Sequence, residues 1–190
     1  MNIKKSQKQK FIIFPMFLIL FIGCTAQRTF TNVNLKEGDI SFDKPHNLVY
    51  TITYKENGET KSSREGEVLG YLEDAFADIG FAKPSSKASS TGSMHININY
   101  IDNLAKHVAK AFVTGYTWGL IGYHSKDEII MDIELTLNDK TIKKDGYRHE
   151  ISTIAGLFQE KKVSGKTEMD RSRAFEKAAQ QLALKFLKDI

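Results

Sequence analysis

The feature that most constrains the fold is a strict alternation of side-chain character over residues 129–137. Ile129, Met131, Ile133, Leu135 and Leu137 are apolar, and three of the four residues between them are polar. A period of two is typical of a strand with one buried face and one solvated face. Asn138 and Asp139 then predict a turn, and residues 141–151 are expected to return as the antiparallel partner.

Two further strands and two helices follow from the same reasoning. Strands are predicted at residues 48–55 and 96–100, where β-branched and aromatic residues alternate with polar ones. Helical spacing of apolar residues predicts one helix after a possible capping box at residues 62–65 and a closing helix of about 20 residues after Thr167. These elements predict an α+β two-layer sandwich, an antiparallel sheet of about four strands with two helices packed on one face.

The first 23 residues have the pattern of a secretion signal. Four lysines precede an uncharged, mainly apolar run of about 13 residues that ends at Gly23. A membrane-spanning helix needs roughly 20 residues, and Pro15 further disfavours one. Residues 1–23 are therefore predicted to be removed, and a permanent anchor helix is the less favoured alternative.

The run ends in Phe21-Ile22-Gly23-Cys24, which resembles the lipobox of bacterial lipoproteins, although Phe21 stands where leucine is usual. The resemblance implies that Cys24 becomes the lipidated first residue and attaches the protein to a membrane through acyl chains. Thr25 follows in place of the aspartate that commonly retains such proteins at the inner membrane. By the same resemblance, the expected location is the outer membrane, facing the periplasm, if the source is Gram-negative.

Removal of the signal changes the charge balance and divides the remaining chain. The other 167 residues carry 23 basic and 23 acidic residues and are therefore close to neutral. Binding of nucleic acid needs a basic surface, so the composition does not favour a nucleic-acid partner. With one cysteine, no intramolecular disulfide can form. Residues 24–46 are polar and aperiodic and are predicted to be a tether whose apolar residues can dock on the domain, and residues 47–190 are predicted to be a single α+β domain.

The stretch at residues 111–123 is the unusual part of the sequence. It is uncharged and glycine-rich, and its aromatic residues include Tyr116, Trp118 and Tyr123. Three interpretations remain open: a buried strand or loop, an exposed loop that contacts a membrane interface or a partner, and a self-association surface. The stretch resembles apolar mid-chain segments of small uncharacterised envelope lipoproteins, which implies no chemistry. If a contact surface exists, these three aromatics are its predicted residues.

The sequence does not predict an active site, a metal site or a cofactor. It contains no Gly-x-Ser-x-Gly elbow, no phosphate-binding glycine loop and no His-x-x-x-His spacing. Asp132 and Glu134 lie on the predicted solvated face of their strand, and Asp74 and Asp78 are expected on a solvated helix face. His95 and His149 are expected to be surface residues of strands.

These observations predict a non-enzymatic, lipid-anchored envelope protein that binds or stabilises another, unknown envelope component as an adaptor or assembly factor. The alternative is a carrier that holds a lipid or an apolar small molecule between the sheet and the helices.

Overall fold

The computed structural model describes residues 27–36, 40, 42, 44–103, 123–155, 163 and 165–190. Within these residues the chain forms two α-helices, α1 (Glu65–Asp78) and α2 (Arg171–Lys188), and a 3₁₀ turn, Ser62–Arg64, precedes α1. Eight strands form one sheet: β1 (Gln27–Thr31), β2 (His46–Glu56), β3 (Glu59–Thr60), β4 (Ala82–Pro84), β5 (Gly92–Ile101), β6 (Tyr123–Leu137), β7 (Lys140–Ala155) and β8 (Thr167–Met169).

The sheet is mixed, and its strand order is β3-β2-β5-β6-β7-β1-β8, with β4 pairing with β2 beside this path. β2 runs parallel to both β4 and β5, whereas the other pairings are antiparallel. The chain remains in the α+β class, but the predicted antiparallel sheet of about four strands is wrong. The sheet described here has eight strands, and some of them are parallel.

The parallel pairing follows from the crossover that α1 makes. The chain leaves β2, passes through the short β3 and α1, and returns to the same end of the sheet to begin β5. A helix of 14 residues supplies the long connection that parallel neighbours require. The order of strand, helix and strand in the sequence is itself typical of a parallel pair, and the prediction of an antiparallel sheet did not take it into account.

The core lies between one face of the sheet and the two helices. α1 packs over β2 and β4, α2 packs over β7, β1 and β6, and the helices contact each other. The apolar residues of the alternation point into this core, since Ile129, Met131, Ile133 and Leu135 are at most 1% exposed. Burial of complementary stripes on α1 and α2 against this face supplies the main stabilising free energy.

Turn residues end two of the strands, and the turn predicted at Asn138 and Asp139 is confirmed. Asn57 and Gly58 both have positive φ angles, as do Asn138 and Asp139, which fits tight two-residue hairpin turns. In β7 one extra residue opposite Asp132 makes a bulge, where Gly146 adopts a φ of 78° and donates its N–H to Asp132 Oδ1. The bulge increases the local twist without interrupting the hairpin.

The two helices differ in how their N-termini are capped. Asp170 caps α2 and accepts a hydrogen bond from the backbone N–H of Arg173 at 2.9 Å. The predicted capping box at residues 62–65 does not form, because those serines lie in the 3₁₀ turn and Arg64 occupies the N-cap of α1 without a side-chain cap. The first turn of α1 instead carries Glu65 and Glu67, which favour a helix N-terminus electrostatically.

The predicted tether contains a strand of the sheet. β1 lies between β7 and β8, and Phe30 is buried with Ile154 and Val163 in a second, smaller apolar cluster. Leu35, Ile40 and Phe42 pack against the main core. Residues 27–31 therefore belong to the folded domain, and the apolar residues that follow are docked on it.

Candidate functional site

A cleft of about 420 Å³ lies where the N-termini of both helices approach the ends of β2 and β5. We call it the arginine–tyrosine cleft. Its walls are formed by Glu56, Arg64, Glu67, Tyr71, Tyr100, Asp102, Ile151, Arg171, Ser172 and Phe175.

A buried carboxylate organises one wall of the cleft. The Asp127 side chain is 2% exposed and accepts a 2.6 Å hydrogen bond from the Tyr100 hydroxyl and a 3.1 Å bond from the backbone N–H of Asn103. Arg171 Nη2 lies 3.5 Å from this carboxylate and donates to the Tyr100 hydroxyl at 2.9 Å. Asp102 also pairs with Arg171, at 3.4 Å. These contacts hold the Arg171 guanidinium at the mouth of the cleft.

Arg64 forms the opposite wall in a similar way. Its guanidinium pairs with Glu56 at 3.1 Å and with Glu67 at 3.4 Å, and its centre lies 5.4 Å from the Tyr54 ring and 5.6 Å from the Phe175 ring. Such cation–π stacking on aromatic rings is a common arrangement for arginine. The Tyr71 hydroxyl donates to Glu67 at 2.9 Å, so the second carboxylate is also held in place.

The charges of the cleft are mutually satisfied. Burial raises the pKa of Tyr100 above its ordinary value, an effect that Asp127 reinforces and the bond from Arg171 opposes. Burial acts to lower the pKa of Arg171, but the hydrogen bond with Tyr100 and the nearby negative charges outweigh burial and raise that pKa. The hydrogen bond from Tyr71 and the contact with Arg64 lower the pKa of Glu67. At neutral pH the cleft therefore presents an ionised Arg171 and a neutral Tyr100.

This arrangement favours binding over acid–base catalysis. Each carboxylate, Glu56, Glu67, Asp102 and Asp127, already contacts a guanidinium, so none is placed as an isolated proton acceptor. Arginine and tyrosine side chains can instead contribute directional hydrogen bonds and aromatic surface to a ligand. No group of three or more His, Cys, Asp or Glu side chains that could hold a metal occurs in the described part of the chain.

A second polar cluster joins β7 to the residue that precedes β8. Lys166 Nζ lies 2.6 Å from Ser152 Oγ and 2.5 Å from Glu150 Oε1. Burial raises the pKa of Glu150, but hydrogen bonds from Lys126 and Lys166 outweigh it and lower the value to about 2. Because Lys166 is ion-paired and Ser152 is fully buried, the geometry is that of a structural ion cluster and does not provide an accessible nucleophile.

The residues predicted from sequence to be functional fall largely outside the described part of the chain. Cys24, the signal at residues 1–23, Tyr116 and Trp118 all lie outside it, as does most of the stretch at residues 111–123. Tyr123 is the first residue of β6, where its backbone pairs with Ala155. The contact surface predicted from these aromatics therefore stays a prediction.

The two strand histidines differ from each other. His95 is on the exposed side of β5 and hydrogen-bonds to Thr51 at 2.8 Å, as expected of a surface residue. The same expectation is wrong for His149, which is 6% exposed and hydrogen-bonds to the buried Thr31 at 2.7 Å. Burial lowers the pKa of His149 to about 4, and the charges of Lys185 and Lys166 contribute in the same direction.

Sequence reasoning did not identify the arginine–tyrosine cleft. The alternation places Tyr100 only on the apolar face of its strand, and Asp127 and Arg171 lie outside any recognisable motif. The sequence did contain one signal for the cleft, the polar run at residues 123–128. These residues form the first part of β6, which begins at Tyr123, before the apolar alternation starts. A buried strand that carries an aspartate requires a partner for the charge.

Comparisons with known proteins identify similar solved structures. No protein-family model matches the sequence, and no curated protein matches it. A solved DUF4136 family protein from Bacteroides thetaiotaomicron is similar to 85% of this chain over 96% of its own length, with 15% identity and a TM-score of 0.33. Another solved structure, of an uncharacterized protein, covers 83% of this chain and 92% of its own, with 9% identity and a TM-score of 0.28. The structural neighbours are thus uncharacterised proteins.

Neither described helix has both the length and the apolar character needed to cross a membrane.

Proposed function

We propose that this protein is a non-enzymatic, lipid-anchored envelope protein that binds another envelope protein through the arginine–tyrosine cleft. The lipid attachment at Cys24 and the outer-membrane location rest on the signal, on the lipobox-like Phe21-Ile22-Gly23-Cys24 and on Thr25. The single observation that carries the binding role is the cleft itself. It concentrates Arg64, Arg171 and three aromatic side chains around one concave surface.

Arginine and tyrosine are among the residues that contribute most binding energy at protein interfaces. Here the side chains are held in place before a partner arrives, because ion pairs fix both guanidinium groups. Pre-organisation of this kind reduces the entropy that binding costs. The mixed charge of the cleft, with four carboxylates around two arginines, suits a partner surface that also carries both signs.

The packing between sheet and helices weighs against the alternative of a lipid carrier. Phe76, Phe81, Met94 and Phe186 fill that layer and are fully buried, as are the inward residues of β6. A lipid chain could enter there only by displacing close-packed side chains, which is costly.

Site-specific photo-crosslinking in the native envelope tests the proposal. A photoreactive residue replaces Ser172, which is exposed and lines the cleft, and a control replaces Thr51, which is exposed on β2. The cleft position should form an adduct with one defined envelope protein, and the Thr51 position should not. A lipid-sized adduct at Ser172 would support the carrier instead, and identical adducts at both positions would contradict a role for the cleft.

A further inference from the structure

The place where the lipid would join the domain constrains how the domain sits on a membrane. β1 begins at Gln27, three residues after Cys24. A fully extended segment of three residues spans about 11 Å, so Cys24 and Gln27 cannot lie farther apart than this in any conformation. If Cys24 carries the acyl chains, the start of β1 therefore lies within that distance of the residue held at the bilayer surface.

The sheet register extends this constraint to neighbouring strands. Gln27 pairs with Ala155, and Ala155 also pairs with Tyr123, so the three backbones form one row across β1, β7 and β6. β8 runs antiparallel to β1, with Met169 opposite Thr29, and α2 begins two residues after it, at Arg171. The N-terminus of α2 thus lies near the same end of the sheet as the row.

The opposite end of the sheet lies far from this row. The β6–β7 hairpin turns at Asn138 and Asp139. Leu137 pairs with Lys140 at this turn. Ser125 and Thr29 both pair with Thr153, so they lie at the same level of the sheet. Leu137 is twelve residues farther along β6 than Ser125. At about 3.3 Å per residue, the hairpin tip is about 40 Å from the beginning of α2 along the strand direction.

From this geometry we infer that the end of the sheet marked by Gln27, Ala155 and Tyr123 lies against the phospholipid bilayer that holds the acyl chains, with the β6–β7 hairpin pointing away. This inference rests on the proposed function, because it requires lipid on Cys24. It replaces a domain that stands off the membrane on a 23-residue tether with one that is held close to the surface in a fixed orientation.

The orientation also places the arginine–tyrosine cleft. β5 ends at Ile101, which pairs with Glu128, five residues along β6 from the row. The β5 wall of the cleft is therefore set back about 17 Å from the row, and the α2 wall lies closer to it, so the cleft is on the membrane-proximal half of the domain. A protein that occupies the cleft would have to approach close to the bilayer surface.

Fluorescence quenching on vesicles tests the orientation. The mature protein starting at Cys24, lipidated and verified by intact mass, is reconstituted in vesicles of phosphatidylethanolamine and phosphatidylglycerol with a nitroxide-headgroup lipid. Because the lipidated Cys24 has no free thiol, Ser172→Cys and Lys140→Cys each offer a single labelling site. Both native residues are exposed. The label at position 172 should be quenched several-fold more than the label at position 140.

A spacer variant is the matched control. Twelve Gly and Ser residues inserted between Cys24 and Gln27 give a flexible segment of about 20 Å, and quenching at position 172 should fall toward that at position 140. Equal quenching at both positions in the lipidated, spacer-free protein would overturn the inference and leave the lipoprotein proposal standing. A mass without lipid would overturn both.

Discussion

Asp127 shows how one residue determines the form of the cleft. Its carboxylate is buried at the point where β5 ends, and Tyr100, Asn103 and Arg171 all contact it. A buried carboxylate without these partners would be strongly destabilising. The arginine at the cleft mouth therefore has a structural role as well as the proposed binding role.

Substitution of Arg171 tests this dependence. Arg171→Ala removes the guanidinium beside the buried Asp127 carboxylate and should lower the free energy of unfolding by about 2 kcal/mol. Arg173→Ala is the matched control, because Arg173 is on the same helix turn, is exposed and pairs only with the exposed Asp170 among described residues. Its effect should be below about 1 kcal/mol. Equal urea-unfolding free energies for the two variants would contradict a structural role for Arg171.

The buried His149 predicts a pH dependence of stability. Its pKa is lowered by burial to about 4 from an ordinary value of 6.5. Between these values the unfolded chain takes up a proton that the folded protein does not. The free energy of unfolding should therefore have its full value above pH 6.5 and should fall by about 3 kcal/mol as the pH drops toward 4.

The variant His149→Gln keeps a side chain that can hydrogen-bond to Thr31 but cannot titrate. Its free energy of unfolding should change much less over the same pH window than that of the unmodified protein, as measured by urea unfolding at several pH values. The same slope in both proteins would rule out His149 as the source. Glu150, with a pKa of about 2, contributes a separate loss only as the pH falls below its ordinary value of 4.5.

At the scale of elements, the long periodic segments could be predicted and the short ones could not. β2, β5, β6 and α1 each show a sustained period of two or of helical spacing. β3, β4 and β8 have two or three residues, too few for any period. β1 lies in a polar segment where Phe30 is the main apolar residue. Its place in the sheet depends on β7 and β8, which no local pattern specifies.

Two glycines in different elements should respond oppositely to alanine. A Cβ at Gly92, the first residue of β5, would lie 2.1 Å from the backbone oxygen of Thr136, so Gly92→Ala should cost about 2 kcal/mol. Gly70 lies inside α1, where an alanine methyl group would meet no atom within 4 Å. Gly70→Ala should therefore raise the free energy of unfolding by about 0.5–1 kcal/mol. Thermal unfolding should show a lower midpoint temperature for Gly92→Ala and a higher one for Gly70→Ala. A stabilising Gly92→Ala would contradict the β5–β6 register.

β1 can be tested as a part of the fold. Phe30→Ala removes the largest side chain of the cluster with Ile154 and Val163 and should destabilise the protein by about 3 kcal/mol. Val33→Ala, at an exposed position in the same predicted tether, should change stability by less than about 0.5 kcal/mol. If β1 were a free tether, both substitutions would be neutral in chemical denaturation.

At the scale of the whole molecule, the fold and the proposed membrane attachment depend on different parts of the sequence. Hydrophobic periodicity determines the long periodic strands and the two helices, whereas the predicted location depends on Cys24 and the 23 residues before it. The cleft could not be predicted because Arg64, Tyr100 and Arg171 come from three distant segments. Only the parallel crossover of β2 and β5 and the docking of α2 bring them together.

The central claim, a lipid-anchored envelope protein, is tested most directly by intact mass and membrane fractionation of the expressed protein beside a Cys24→Ser variant. We expect a chain that starts at Cys24, carries the mass of attached lipid and sediments with membranes, while the variant is unprocessed or released. A chain without lipid, or one still bearing residues 1–23, would contradict the claim and also remove the basis for the orientation of the domain on the bilayer.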